Sequence, residues 1–342
     1  MKTILGLLLL ALASCLPMDA DSKSIQMAQS GSGSGTPVGA VASIFSLPPM
    51  VHPESILVRA ERVLTQVGLN GNLERTLEVF LADGQGSFRL DIGGFSPYST
   101  GPFFPPPALL VASYFDRQRY LVRFRDPHPG SPEEVHKNWD WETLAATHAL
   151  AGVDCLQHQA TSRHGFGQVV FRVDPSNDLL LGWEVSDGQG RLIRKLETQA
   201  LDFNPDLSGV LWSQPLVSER DWQEGDEALL GVSPLQARYL PPGFEFQSER
   251  FLEASLVLPG VPDIHFRVAS DGIHPLIIAQ HQAQGLGGGP SGGTESAPIE
   301  TARWCRYGGI QVVEGQISGR QAYLVSPLPS DELLAVFGSL LP

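Results

Sequence analysis

The sequence predicts an α+β protein: a curved antiparallel sheet with helices over residues 50–215, then a smaller α+β domain over residues 236–342. Three observations predict it. Short runs that alternate apolar and polar side chains recur along the chain, bounded by Gly, Asp, Asn or Pro, the pattern of half-buried strands and their turns. A stretch with helical spacing stands before the first of these runs, and another closes the chain. A polar, weakly periodic segment, residues 216–235, separates the two sets of strands and reads as a linker.

Residues 53–67, PESILVRAERVLTQV, place Ile56, Leu57, Ala60, Val63, Leu64 and Val67 on one helical stripe, with Gly68 as the stop. TLEVFLA then alternates through Leu77, Val79 and Leu81, and SFRLDI through Phe88, Leu90 and Ile92, with Asp83-Gly84 turning between them. GGFSPYSTGPFFPPP, residues 93–107, has no period and reads as a long loop. RYLVRF sets Tyr120, Val122 and Phe124 on one face and Arg119 and Arg123 on the other. QVVFRVDPSNDLLLGWEVSDGQGRLIRKLETQALDF holds three strand-like runs parted by DPSND and SDGQG, and Val169, Phe171 and Val173 share a face. This repetition beside one helix predicts a curved sheet wrapped around that helix.

In the second domain FEFQSERF, HFRVAS and IHPLIIA read as strands. IQVVEGQI and QAYLV form a hairpin around Ser318-Gly319-Arg320, and GLGGGPSGGTES is a low-complexity loop. SDELLAVFGSLLP reads as a helix with Ser330 as N-cap. Asp331 and Glu332 lie in its first turn, where the helix dipole favours them, and Leu333, Val336, Phe337 and Leu340 form its apolar face.

The 342 residues are 42% hydrophobic, ample for more than one core, and carry a net charge of -14 without a basic block. That balance excludes a nucleic-acid partner on electrostatic grounds. At the start, Lys2 and the apolar residues 4–13 have the layout of an export signal. The run is about half the length a spanning helix requires. Leu12-Ala13-Ser14-Cys15 resembles the bacterial lipobox, which implies lipidation of Cys15 after cleavage and a membrane anchor on an exported protein of the cell envelope, the alternative being an ordinary signal peptide that happens to contain a Cys. Residues 16–49, with SGSGSG, read as a flexible tether. Cys155 and Cys305 remain either as a disulfide or as two separate buried thiols.

Catalytic and metal motifs fail on inspection. Gly289-Pro290-Ser291-Gly292-Gly293 fits G-x-S-x-G, but glycines and a proline flank the Ser where a nucleophile elbow requires a strand and a helix. His136, His148, His158 and His164 lack metal-ligand spacing. Asp174, Ser176 and Asp178 begin like a calcium loop, but Leu179 stands where the turn Gly belongs, so they read as turn residues. Trp139-Asp140-Trp141 reads as packing. No cofactor is called for, and a binding or regulatory protein is expected rather than an enzyme.

At residues 239–244, YLPPGF, followed by RVASDGIHPLIIAQH, the chain resembles the C-terminal domain of the RseB/MucB family of sigma-E regulatory proteins. IQVVEGQISGRQAYLVSPLPSDELLAVFGSL is similar to its closing strands and helix, and the run from Val169 onward to the last hairpins of its N-terminal domain. The resemblance covers about residues 139–342 well and residues 50–138 by pattern alone. It implies an N-terminal open barrel like that of the lipoprotein carriers LolA and LolB, with an apolar cleft for lipid acyl chains. It implies as partner the extracytoplasmic domain of an anti-sigma factor or a similar membrane protein, in control of an envelope stress response. The alternative is a LolA/LolB-type carrier or acceptor. Face counting offers Phe80, Phe88, Tyr120, Phe124, Phe171 and Trp183 as cleft residues, with core filling as the competing reading. Pro241, Pro242, Gly243, Phe244, Ser270, Asp271 and Gly272 are the partner-contact candidates, with turn geometry as theirs.

Overall fold

The computed structural model describes residues 46–67, 72–85, 87–92, 126–210, 212, 219–253, 262–283, 300–307 and 310–342. All belong to one compact unit, Phe45–Pro342. Cys15, most of the tether, the loop at 93–107, Tyr120, Phe124 and the Gly-rich stretch at 285–293 lie outside them.

A 3-10 turn at Pro53–Ser55 leads into β1 (Leu57–Val67). β2 (Leu73–Asp83), β3 (Phe88–Ile92), the helix α1 (Pro132–Asn138) and β4 (Trp139–Leu150) follow. β5 (Val153–Ser162), β6 (Gln168–Val173), β7 (Leu180–Ser186) and β8 (Leu192–Asp202) complete the first half. These form one eight-stranded sheet in the order β3-β2-β1-β8-β7-β6-β5-β4, antiparallel throughout. Pairing of β1 with β8 ties the start of this half to its end. Among the described residues the sheet is not closed into a barrel: β3 and β4 stand at its two edges.

The helix expected over residues 53–67 is therefore a central strand. Its inward positions are Val58, Ala60, Arg62 and Leu64, a two-residue period that a charged residue interrupts. Arg62 is tolerated there because Nη2 donates to Glu78 at 3.1 Å and the guanidinium lies 4.8 Å from the centre of the Phe80 ring. Without knowledge of Glu78 across the ladder, Arg62 reads as a solvent-facing residue, and the helical spacing wins by default. The curved sheet accordingly has no long helix inside it, and α1 is the one α-helix of this half among the described residues.

The face of β2 is also the reverse of the one expected. Register with β1 sets Ala82 against Val58, Phe80 against Ala60 and Glu78 against Arg62, so these are buried, while Leu77 is 55% exposed. Elsewhere the alternation reads correctly: Val169, Phe171 and Val173 all point inward. A row of paired positions, Leu64, Leu196, Trp183, Phe171, His158 and Thr143, runs across six strands on that inner face.

The second half opens with β9 (Glu219–Asp221), α2 (Asp226–Leu230) and β10 (Gln236–Ala237). β11 (Glu245–Leu252), β12 (Ile264–Ser270), β13 (Pro275–Gln282) and β14 (Glu300–Tyr307) come next. β15 (Ile310–Ile317), β16 (Arg320–Ser326), α3 (Ser330–Gly338) and β17 (Leu340–Leu341) end the chain. A seven-stranded sheet has the order β14-β15-β16-β13-β12-β11-β9, and β10 pairs with β17. Residues 216–235, read as a linker, contribute β9 to this sheet. Arg220 donates to Asp226 and Glu253 and so binds the stretch to it. Leu333, Val336 and Phe337 of α3 pack with Leu276, Ile278, Val313 and Leu324 of the strands. The N-cap position is Pro329 rather than Ser330, and no side chain caps it. Ser318 and Gly319, at φ of 50° and 75°, make the left-handed turn that a two-residue hairpin requires. No helix among the described residues is long and apolar enough to cross a membrane.

Arg62, 3% exposed, faces two buried carboxylates, Glu78 at 3.1 Å and Asp126 at 3.8 Å, so removing the arginine takes away the cation they share. Arg62→Met should cost about 3–5 kcal/mol in urea unfolding, and Arg62→Met/Glu78→Leu, which removes one of the two carboxylates with it, markedly less. Equal losses in the two variants would show that the pair contributes no charge compensation.

Candidate functional site

Among the described residues, a cluster of buried polar contacts between distant parts of the chain lies where the two sheets meet. It is built around the turn that joins β12 to β13. Asp271 Oδ1 accepts the backbone N–H groups of Ile273 at 2.9 Å and His274 at 2.7 Å, and Ser270 Oγ accepts that of Gly272 at 2.9 Å. These short-range bonds hold the turn open in a shape that points its own carbonyls outward, toward the first sheet.

The first sheet receives them with α1 and the strap of residues 126–130 before it. Gly130 N donates to Gly272 O at 2.6 Å, and His128 N to Ile273 O at 3.5 Å. Ser131 Oγ accepts from Glu134 N and starts α1, with Pro132 at its first position. The helix ends at Asn138, whose amide donates to the carbonyls of Glu134 at 3.2 Å, Gly243 at 3.0 Å and Asp271 at 3.0 Å. Its Oδ1 faces His164 Nε2 at 3.1 Å. Trp139 Nε1 donates to the same Asp271 carbonyl at 3.1 Å. Gly272 has φ of +95°, and a Cβ there would meet Val135 N of α1 at 2.9 Å, so only glycine allows the approach.

Apolar packing continues across the same joint. Ile273 belongs to one core cluster with Val135, Trp139, Phe171 and Trp183. Trp139 meets the His274 ring edge-on at 5.1 Å, and Phe166 meets Phe244 at 6.1 Å. The joint is thus a seam, with hydrogen bonds and core side chains both crossing it.

The residues singled out from sequence fall mainly inside. Pro241, Phe244, Asp271 and Gly272 are buried, Gly243 and Ser270 half-buried, and Pro242 exposed. The turn formed by Phe244 N and Pro241 O at 3.0 Å, with Gly243 at φ +85°, presents the Gly243 carbonyl to Asn138. Their chemistry is turn geometry put to use in joining the halves. Phe80, Phe171 and Trp183 are 0% exposed, and Phe88 is half-buried against Phe80 with ring centres 5.6 Å apart. Phe80 and Phe88 sit in one cluster with Val58 and Leu90, Phe171 and Trp183 in another with Leu64 and Leu196. Cys155 is a free, buried thiol, and burial pushes its pKa up. Asn138, His52 and His128 carried no recognisable sequence signal; each meets a partner more than 70 positions away.

No protein-family model matches the sequence, and no curated protein matches it in sequence. Among solved structures the chain is similar to MucB in complex with MucA(peri), at 12% identity and a TM-score of 0.47 over 84% of this chain and 94% of that one. The complex of Pseudomonas aeruginosa MucA/MucB gives the same identity and score over 83% and 93%. A putative outer membrane lipoprotein-sorting protein domain from Vibrio parahaemolyticus gives 12% and 0.17 over 44% and 86%. These scores are low, and the function proposed for this chain rests on its own residues.

Removing the Asn138 amide takes a donor from the Gly243 carbonyl and leaves Trp139 Nε1 on the Asp271 carbonyl. Asn138→Leu should lower stability by about 2–4 kcal/mol, read by chemical denaturation. A loss under about 0.5 kcal/mol would mean that the seam does not depend on this side chain.

Proposed function

We propose that this protein is a regulatory binding protein of the cell envelope that holds the extracytoplasmic segment of a membrane protein, an anti-sigma factor being the partner the sequence resemblance implies. The observation that carries this reading is the seam. A carrier of single lipids needs one curved sheet. Here a second sheet is locked to the first by buried bonds from Asn138 and Trp139 to the Asp271 carbonyl. Such a seam fixes two sheets into one composite surface, which suits gripping a protein segment longer than either sheet could hold. Lipidation of Cys15 and the tether over residues 16–49 would keep that surface beside the membrane and raise its effective concentration for a membrane-bound partner. Binding, with no catalysis, is the activity this reading assigns.

The second reading is a lipid or lipoprotein acceptor of the LolA/LolB type. The apolar row Leu64, Leu196, Trp183 and Phe171 on the inner face of the first sheet favours it. That row is fully covered, so an acyl chain enters only if the face opens.

Native mass spectrometry of the full-length protein, released from its own envelope fraction in mild detergent, separates the two. The expected result is a complex with a membrane protein that has an extracytoplasmic segment. Non-covalently bound acyl-chain masses, beyond any lipid attached at Cys15, with no protein partner would sink the regulatory reading in favour of the acceptor.

A further inference from the structure

Two histidines from distant parts of the chain face each other at the start of the seam. His52 stands on the segment that precedes β1, which Val51 fastens to the start of β7 through Val51 N to Asp178 O at 2.7 Å and Leu180 N to Val51 O at 2.9 Å. His128 stands on the strap that Gly130 and His128 fasten to the Gly272 and Ile273 carbonyls. The ring nitrogens His52 Nε2 and His128 Nδ1 are in hydrogen-bond contact, with ring centres 3.9 Å apart at 63°. The contact therefore ties the first sheet to the strap, and the strap carries the second sheet.

A nitrogen-to-nitrogen hydrogen bond needs one N–H donor and one bare lone pair. Two neutral rings satisfy it, and so does a pair holding one extra proton. Two imidazolium rings do not, because both facing nitrogens then carry hydrogen and both rings carry charge. The surroundings point the same way. Asp126, 5% exposed, lies on the strap within 3.8 Å of Arg62, and Arg62 is also bonded to Glu78. Asp126 favours one charged imidazolium beside it, and a second charged ring in contact with the first is repelled by it. Across the seam, Asp271 Oδ2 faces His274 Nδ1 at 3.4 Å. Glu134 of α1 lies against Gly130 and adds negative charge at the far end of the strap.

We propose that the strap of residues 126–130 is an acid-released latch: the His52–His128 contact closes the seam near neutral pH and opens it when both rings are charged. The sign follows from His52, the less exposed member of the pair. Burial holds His52 below the ordinary imidazole value, with Asp126 opposing in part. The released state thus binds protons more readily than the latched one. Latching is complete above the free imidazole value of about 6.5 and is lost as pH falls below it. A compartment exposed to external acid would then loosen the two-sheet surface without unfolding either sheet.

Hydrogen exchange at the amides of His128 and Gly130, corrected for intrinsic rates, reads the latch directly. In the full-length protein their protection should fall about tenfold between about pH 7.5 and about pH 5, while amides inside β6 and β13 keep theirs. His52→Gln keeps a polar partner for His128 but takes no charge, so it should remove the pH dependence. His128→Gln, at an exposed position, should do the same and serves if the first variant folds poorly. Unchanged protection of the wild-type strap across that range overturns the latch. So does an equal acid loss in the glutamine variant.

Discussion

The structure turns on the carbonyl of Asp271. It accepts both the Asn138 amide and the Trp139 indole, and it is displayed to them because Asp271's own carboxylate ties down the N–H groups of the next turn. A buried carbonyl with two donors is satisfied, and a buried donor left without its acceptor is costly. The constraint is therefore mutual. α1 must end where it does for Asn138 to reach, and the β12–β13 turn must keep Gly272 so that the helix backbone can come close.

Much of the remaining architecture follows from that demand. α1 has only seven residues, too few to be stable on propensity, and it holds because Ser131 caps it and Val135 buries one side in the core shared with Ile273. The order of the first sheet, with β1 against β8, places the segment before β1 beside the strap, and this juxtaposition creates the His52–His128 contact. Buried charge on the inner face then has a plain origin. Arg62 sits inward on a strand whose register with β2 supplies Glu78, and the Phe80 ring covers what remains of its charge.

The seam also changes what the aromatic residues of the first sheet can do. Trp139, Phe171 and Trp183 are consumed by the core that crosses to Ile273. A pocket for acyl chains and a rigid joint to a second sheet draw on the same apolar side chains, so the two uses compete. Firm joining favours a composite binding surface, and an open inner face favours a carrier.

The sequence by itself determined the strands whose alternation is clean: β6 through Val169, Phe171 and Val173, the β15–β16 hairpin through Ser318 and Gly319, and the apolar stripe of α3. In each the pattern is local, since a period of two or of 3.6 and a turn residue within a few positions are enough. It also marked the turns at residues 241–244 and 270–272, through proline, glycine and an Asp-Gly pair. The tertiary structure alone decided what those turns are for, because Asn138 lies 105 residues from Gly243 and 133 from Asp271. It also decided β1 and the buried face of β2. Arg62 belongs inside only because Glu78 arrives opposite it, and a charge whose partner is set by sheet register carries no local sign of burial.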